Sequence, residues 1–104
     1  MAQFDVYENL NELTRKDIPF LLDLQADLLN DLATRIVAPL KRASAIHKPI
    51  AHLHPAFHLL GKTLYLSAPE LAGVPTSRLG KRVGSLKAHR PTIIATLDFL
   101  FTGF

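Results

Sequence analysis

Helical periodicity is clear at only one place in this chain, its end. Ile93, Leu97, Leu100 and Phe104 recur at i, i+4, i+7 and i+11, with Ile94 and Phe101 on the adjoining rows. That spacing makes a broad apolar helix face and assigns Leu97 and Leu100 to a core. Pro91 is tolerated only in or near a first helical turn, so the helix is predicted to begin between Lys87 and Arg90 and to end about Phe101, ahead of Gly103. The chain upstream is divided into shorter runs. Gln3 to Tyr7 alternates with Phe4 and Val6 on one side, the period of a half-buried strand. Ile18 to Leu24 is an apolar run of strand length with its proline near the start. Leu28 to Thr34 reads as a turn. Arg35-Ile36-Val37-Ala38, ending about Pro39, is β-favouring but too short for periodicity to separate strand from helix.

The clearest local signal is a hairpin. Ala56 to Leu60 and Thr63 to Leu66 flank Gly61-Lys62, a two-residue loop with glycine first, as a type II′ turn requires. Pro69, Gly73, Pro75, Gly80 and Gly84 then cut the chain into short extended pieces and turns. The expectation is one domain over residues 1–104, mainly β with one C-terminal α-helix. A barrel or sheet covers about 1–85, the helix about 88–101 and a flexible tail 102–104.

The composition excludes several chemistries. With no cysteine, the chain has neither disulfides nor thiolate nucleophiles nor cysteine zinc cages. The start Met1-Ala2-Gln3-Phe4-Asp5 carries no signal-like segment, and no run approaches the length of a membrane span, so a soluble cytoplasmic protein is expected. Residues 1–31 hold seven acids against Arg15 and Lys16, a balance of −5. The rest balances at +8, with Arg78, Lys81, Arg82, Lys87 and Arg90 prominent. Without interleaved aromatics these bases suit a solvated face or an acidic partner peptide better than a nucleic acid. His47, His52, His54 and His58 are clustered, but no Asp or Glu lies between residues 32 and 69 and Pro49 and Pro55 break the spacing. Metal sites need convergent ligands with oriented partners, so no metal and no cofactor are expected. Ser44, Ser67, Ser77 and Ser85 lack a nucleophile-elbow setting, and no catalytic residue is assigned. Acid–base cleavage of RNA needs only an Arg and a His placed by the fold, and stays open.

What remains is a chain end rich in Phe99, Phe101 and Phe104. Aromatics on a helix usually belong to a core, but Phe101 and Phe104 are harder to bury; a terminal Phe104 either folds back on its own barrel or projects into a partner, and composition leaves the two even. Several segments, in order and spacing, resemble the CcdB family of plasmid and chromosomal toxins. They are Gln3-Phe4-Asp5-Val6-Tyr7, Asp23-Leu24-Gln25-Ala26-Asp27-Leu28-Leu29, Arg35-Ile36-Val37-Ala38-Pro39-Leu40, His54-Pro55-Ala56-Phe57-His58, Gly73-Val74-Pro75 and Phe101-Thr102-Gly103-Phe104. The resemblance implies an SH3-like barrel of the CcdB, MazF and Kid type, a twofold homodimer, and a toxin–antitoxin role in plasmid maintenance. It further implies that the toxin is no enzyme itself. It binds the DNA gyrase A subunit, traps the gyrase–DNA cleavage complex, and is neutralised by a CcdA-type antitoxin that folds on binding.

On the family pattern the gyrase-binding residues fall on Leu28, Leu29, Asp98, Phe101, Thr102, Gly103 and Phe104. Core packing is the competing reading for one of the two leucines. The familiar family tail is Trp-Gly-Ile, and here Thr102 and Phe104 stand where the tryptophan and isoleucine would be. Losing an indole removes a large stacking surface. Two alternatives accompany the gyrase reading: an endoribonuclease toxin on the same barrel, from the open possibility of acid–base RNA cleavage, and, from this departure, a gyrase-inactive homologue that binds only its antitoxin.

Overall fold

A computed structural model describes residues 1–103. Its strands are β1 (Asp5–Asn9), β2 (Phe20–Asp23), β3 (Thr34–Arg42), β4 (Ala56–Leu59), β5 (Lys62–Leu66), β6 (Ala72–Pro75) and β7 (Leu79–Ser85), followed by helix α1 (Arg90–Thr102). All pair antiparallel in one curled sheet of order β4-β5-β3-β2-β1-β7, with β6 on β3. The mainly β architecture with a single terminal helix is the one the sequence predicts. No helix among the described residues is long and apolar enough to cross a membrane.

Alternation aims Val6, Leu22, Leu40, Leu64 and Leu66 into one concave core, where Phe57, Leu86 and Ile93 of the helix join them. β1 begins two residues later than its alternation suggests. Phe4 takes φ 71°, and its side chain reaches the core from a left-handed corner rather than from the strand. β3 runs on through Pro39. The Pro39 carbonyl accepts Ser67 N–H at 2.9 Å, so the missing proline N–H lies on that same side, away from β2. There the partner of β3 changes from β6 at Val37 to β5 at Leu40, and no ladder bond is lost.

The hairpin is real, but its turn is one residue earlier than expected. Leu59 pairs with Lys62, and the loop is Leu60-Gly61, with φ 53° and 74°. Both angles are positive, the signature of a type I′ turn, whose twist matches that of the flanking strands. The β1–β7 contact explains one glycine. A Cβ on Gly80 would lie 2.9 Å from that of Glu8, so only glycine admits the two backbones there.

The helix starts at Arg90 with Pro91 in its first turn, within the predicted window. It ends one residue beyond expectation, taking in Thr102, and Gly103 closes it at φ 79° with its N–H on Phe99 O. Its buried row is narrower than its apolar face. Ile93 and Thr96 are buried and Leu97 packs against the core, while Leu100, expected inside, is only half-buried and lies outside the core cluster.

Candidate docking site

Between β2 and β3 the chain makes a 3₁₀ turn at Asp27–Leu29, and every residue from Ala26 to Thr34 is exposed. Leu28 is 96% exposed and Leu29 48%. Core packing, the competing reading for one of them, holds for neither. Leu32 is exposed on the same loop and Ile36 just beyond it, two further exposed apolar side chains that the sequence did not signal.

Because this loop buries no side chain, polar contacts hold its shape. Arg35, on β3, is fully buried and forms an ion pair with fully buried Asp23 through Nη2, while Nε donates to the same Oδ2 at 3.1 Å. Its remaining arm, Nη1, donates to Asn30 Oδ1 at 2.6 Å. Gln25 works from the other side. Its Nε2 donates to Leu29 O (2.9 Å) and Thr34 O (3.2 Å), and its Oε1 accepts Ile36 N–H at 3.1 Å. Charged groups buried without partners would cost several kcal/mol, so pairing Arg35 and Asp23 is a condition of this geometry. The sequence signals this network only faintly. Its one trace is a cation inside a β-favouring run, with Asp23 and Gln25 two residues apart.

Asp98, Phe101, Thr102 and Gly103 form the second group, at the end of α1, and all are exposed, Phe101 at 70%. Phe101 does not fold back on the sheet, whereas Phe99 is half-buried with its ring 5.0 Å from that of His52. The Thr102 hydroxyl donates back to Asp98 O at 2.6 Å, so its polar atom is engaged within the helix. Phe104 lies outside the described residues.

Among the described residues no hydrogen bond or ion pair joins the loop to the helix end; Gln3 connects loop and helix start instead. Its backbone N–H donates to Asp27 Oδ1 (2.7 Å) and its Nε2 to Leu24 O (3.1 Å), while its Oε1 accepts Arg90 Nη1 at 3.0 Å.

The other chemistry-bearing residues are dispersed. His54 Nδ1 accepts Ile50 N–H at 3.0 Å, His89 packs on Phe57, and His58 is exposed on β4. No group of three or more His, Cys, Asp or Glu among the described residues could hold a metal. Glu70 pairs with Lys41 and accepts Ser67 Oγ at 2.8 Å. Burial works to raise its carboxyl, but these bonds outweigh burial and hold it below the usual carboxylate range. A groove of about 720 Å³, lined by Leu10, Leu13, Ile18, Leu21, Val74 and Pro75 with Arg78 beside them, includes neither Leu28 and Leu29 nor any residue of α1.

The fold defines a class, a small protein of one curled antiparallel sheet with a single terminal helix, with exposed apolar side chains on the β2–β3 loop and at the helix end. The chain matches the family described as CcdB protein over residues 3–103. It belongs to that family, whose members are toxins of toxin–antitoxin pairs.

Proposed function

We propose that this toxin acts on the DNA gyrase A subunit, docking there to trap the enzyme with its DNA cleaved, without covalent chemistry of its own. The docking surface comprises Leu28 and Leu29 on the β2–β3 loop and Asp98, Phe101, Thr102, Gly103 and Phe104 at the end of the chain. The observation that carries this reading is exposure. Leu28 and Phe101 are almost uncommitted to their own fold, in a chain whose other phenylalanines among the described residues are buried or half-buried. Burying such a side chain against a partner contributes about 1.5 to 3 kcal/mol, the scale of an interface hot spot. Phe101 supplies aromatic surface that Thr102 cannot.

The same reading makes the protein a cytoplasmic twofold homodimer, since a symmetric gyrase dimer is met most economically by a symmetric toxin. Its second partner is a CcdA-type antitoxin, an acidic segment that folds on the basic part of the chain, and the system serves plasmid maintenance.

Deleting residues 102–104 tests the site. The shortened chain should keep its circular dichroism spectrum but lose toxicity, and cells making it should no longer accumulate DNA cleaved and attached to gyrase. A shortened chain that remains fully toxic refutes the assignment. The endoribonuclease reading requires the purified protein to cut RNA in the absence of gyrase, and RNA that stays intact removes it. The gyrase-inactive reading gains support only if overexpression is harmless in a host with susceptible gyrase.

A further inference from the structure

Arg35 has three donor arms at work, and only two are needed by its buried partner. Nε and Nη2 satisfy Asp23, while Nη1 reaches out of the buried region to the side chain of Asn30, an exposed residue that contributes nothing to the core. Asn30 directly follows Leu29, and its own N–H closes the 3₁₀ turn on Asp27 O at 3.2 Å. The apolar pair therefore sits on a turn whose last residue is clamped to a fixed guanidinium. The planar guanidinium can serve two partners in one rigid geometry, which a lysine ammonium on its flexible stem cannot.

We propose that Arg35 is a positioning residue for docking. Buried and out of any partner's reach, it sets the affinity of Leu28 and Leu29 for their partner by tethering Asn30. This inference rests on the docking reading above. A loop without buried side chains loses conformational freedom on binding unless something has ordered it beforehand, and the Arg35–Asn30 bond supplies that order.

The test separates affinity from stability. Asn30→Ala removes the acceptor and leaves the Arg35–Asp23 pair untouched, and Asn30→Asp restores an acceptor oxygen toward the guanidinium. Each variant and the parent are titrated against the purified gyrase A dimerisation domain, alongside thermal unfolding and amide exchange of the loop. Asn30→Ala should bind about tenfold more weakly, the cost of ordering roughly one residue of backbone on binding. Its unfolding midpoint should stay within about 4 °C of the parent, as for other surface changes. Its loop amides should exchange faster, and Asn30→Asp should recover the parent's affinity. If Asn30→Ala binds as tightly as a binding parent, or if Asn30→Asp is as weak as Asn30→Ala, the positioning role is overturned while the docking reading stands. A parent that does not bind the domain overturns the docking reading and the role built on it.

Discussion

At the scale of single residues, burial separates two kinds of contribution that residue type does not. Leu28 and Leu22 are the same amino acid six positions apart, one 96% exposed and the other fully buried. Leu28→Ala should leave unfolding by urea within about 0.5 kcal/mol of the parent, whereas Leu22→Ala should cost about 2 to 5 kcal/mol through transfer and cavity terms. For gyrase binding the order should reverse: Leu28→Ala should weaken it by roughly tenfold or more, the effect of losing an interface anchor. Arg35→Met should be severe for another reason. It leaves the Asp23 carboxylate buried without its cation, at about 3 to 5 kcal/mol in the same urea measurement. Tyr7 adds a pH dependence. Burial first, and then the Asp5 and Asp23 carboxylates, hold its phenol above the ordinary 10.0. A folded value above the unfolded one contributes stability that is complete below pH about 10 and lost as the pH rises through the folded value. Urea midpoints followed from about pH 8 to about pH 11 should therefore fall less steeply in Tyr7→Phe than in the parent. Equal slopes would mean that another group governs the alkaline limb.

At the scale of elements, the sequence was legible wherever one local rule decided the outcome. Pro91 and Gly103 bracket the helix because a ring without an N–H fits only its first turn and a left-handed residue closes its last. Elsewhere tertiary structure overrode the local rule. Pro39 reads as a strand end, yet β3 continues because the proline faces a junction between partner strands. The hairpin's exposed Leu60 sits at φ 53° although leucine has no local preference for it, because the pairing of Leu59 with Lys62 fixes the loop. The left-handed conformation costs a residue with a Cβ about 1 to 2 kcal/mol, which Asn tolerates better. Leu60→Asn is expected to stabilise the protein by about 1 kcal/mol, a midpoint rise of roughly 4 to 8 °C. No rise in a calorimetric scan would show that the Leu60 side chain makes compensating contacts.

For the molecule as a whole, the exposure of Leu28 and Phe101 was not legible in the sequence. A helix period shows which side chains share a face, and cannot show how much of that face the sheet covers. Leu97 and Phe101 both belong to the apolar side of α1, but only Leu97 packs on the core. The Arg35 network was hidden because its members are brought together by the β2–β3 pairing rather than by a spacing motif. The completed fold also exposes two sets of side chains of different character. Leu28, Leu29, Leu32 and Phe101 are exposed apolar side chains whose charged neighbours in the chain, Asp27, Asp31 and Asp98, are all acidic, whereas Arg78, Lys81, Arg82, Lys87 and Arg90 are exposed from the start of β7 to the approach to α1, with Arg82 paired to Asp5 at 3.1 Å. Salt discriminates between them. Apolar burial is not weakened by added salt, while attraction between exposed charges is screened as the Debye length shrinks from about 10 Å at 0.1 M to about 3 Å at 1 M. If gyrase meets the apolar side chains and an acidic antitoxin meets the basic ones, the two affinities should respond differently to salt. Titrations over that range should weaken antitoxin binding by at least tenfold more than gyrase binding, as expected when several exposed ion pairs contribute at one surface and few at the other. Equal salt slopes would place charge at the centre of both interfaces and contradict the assignment of the two partners to different sets of side chains.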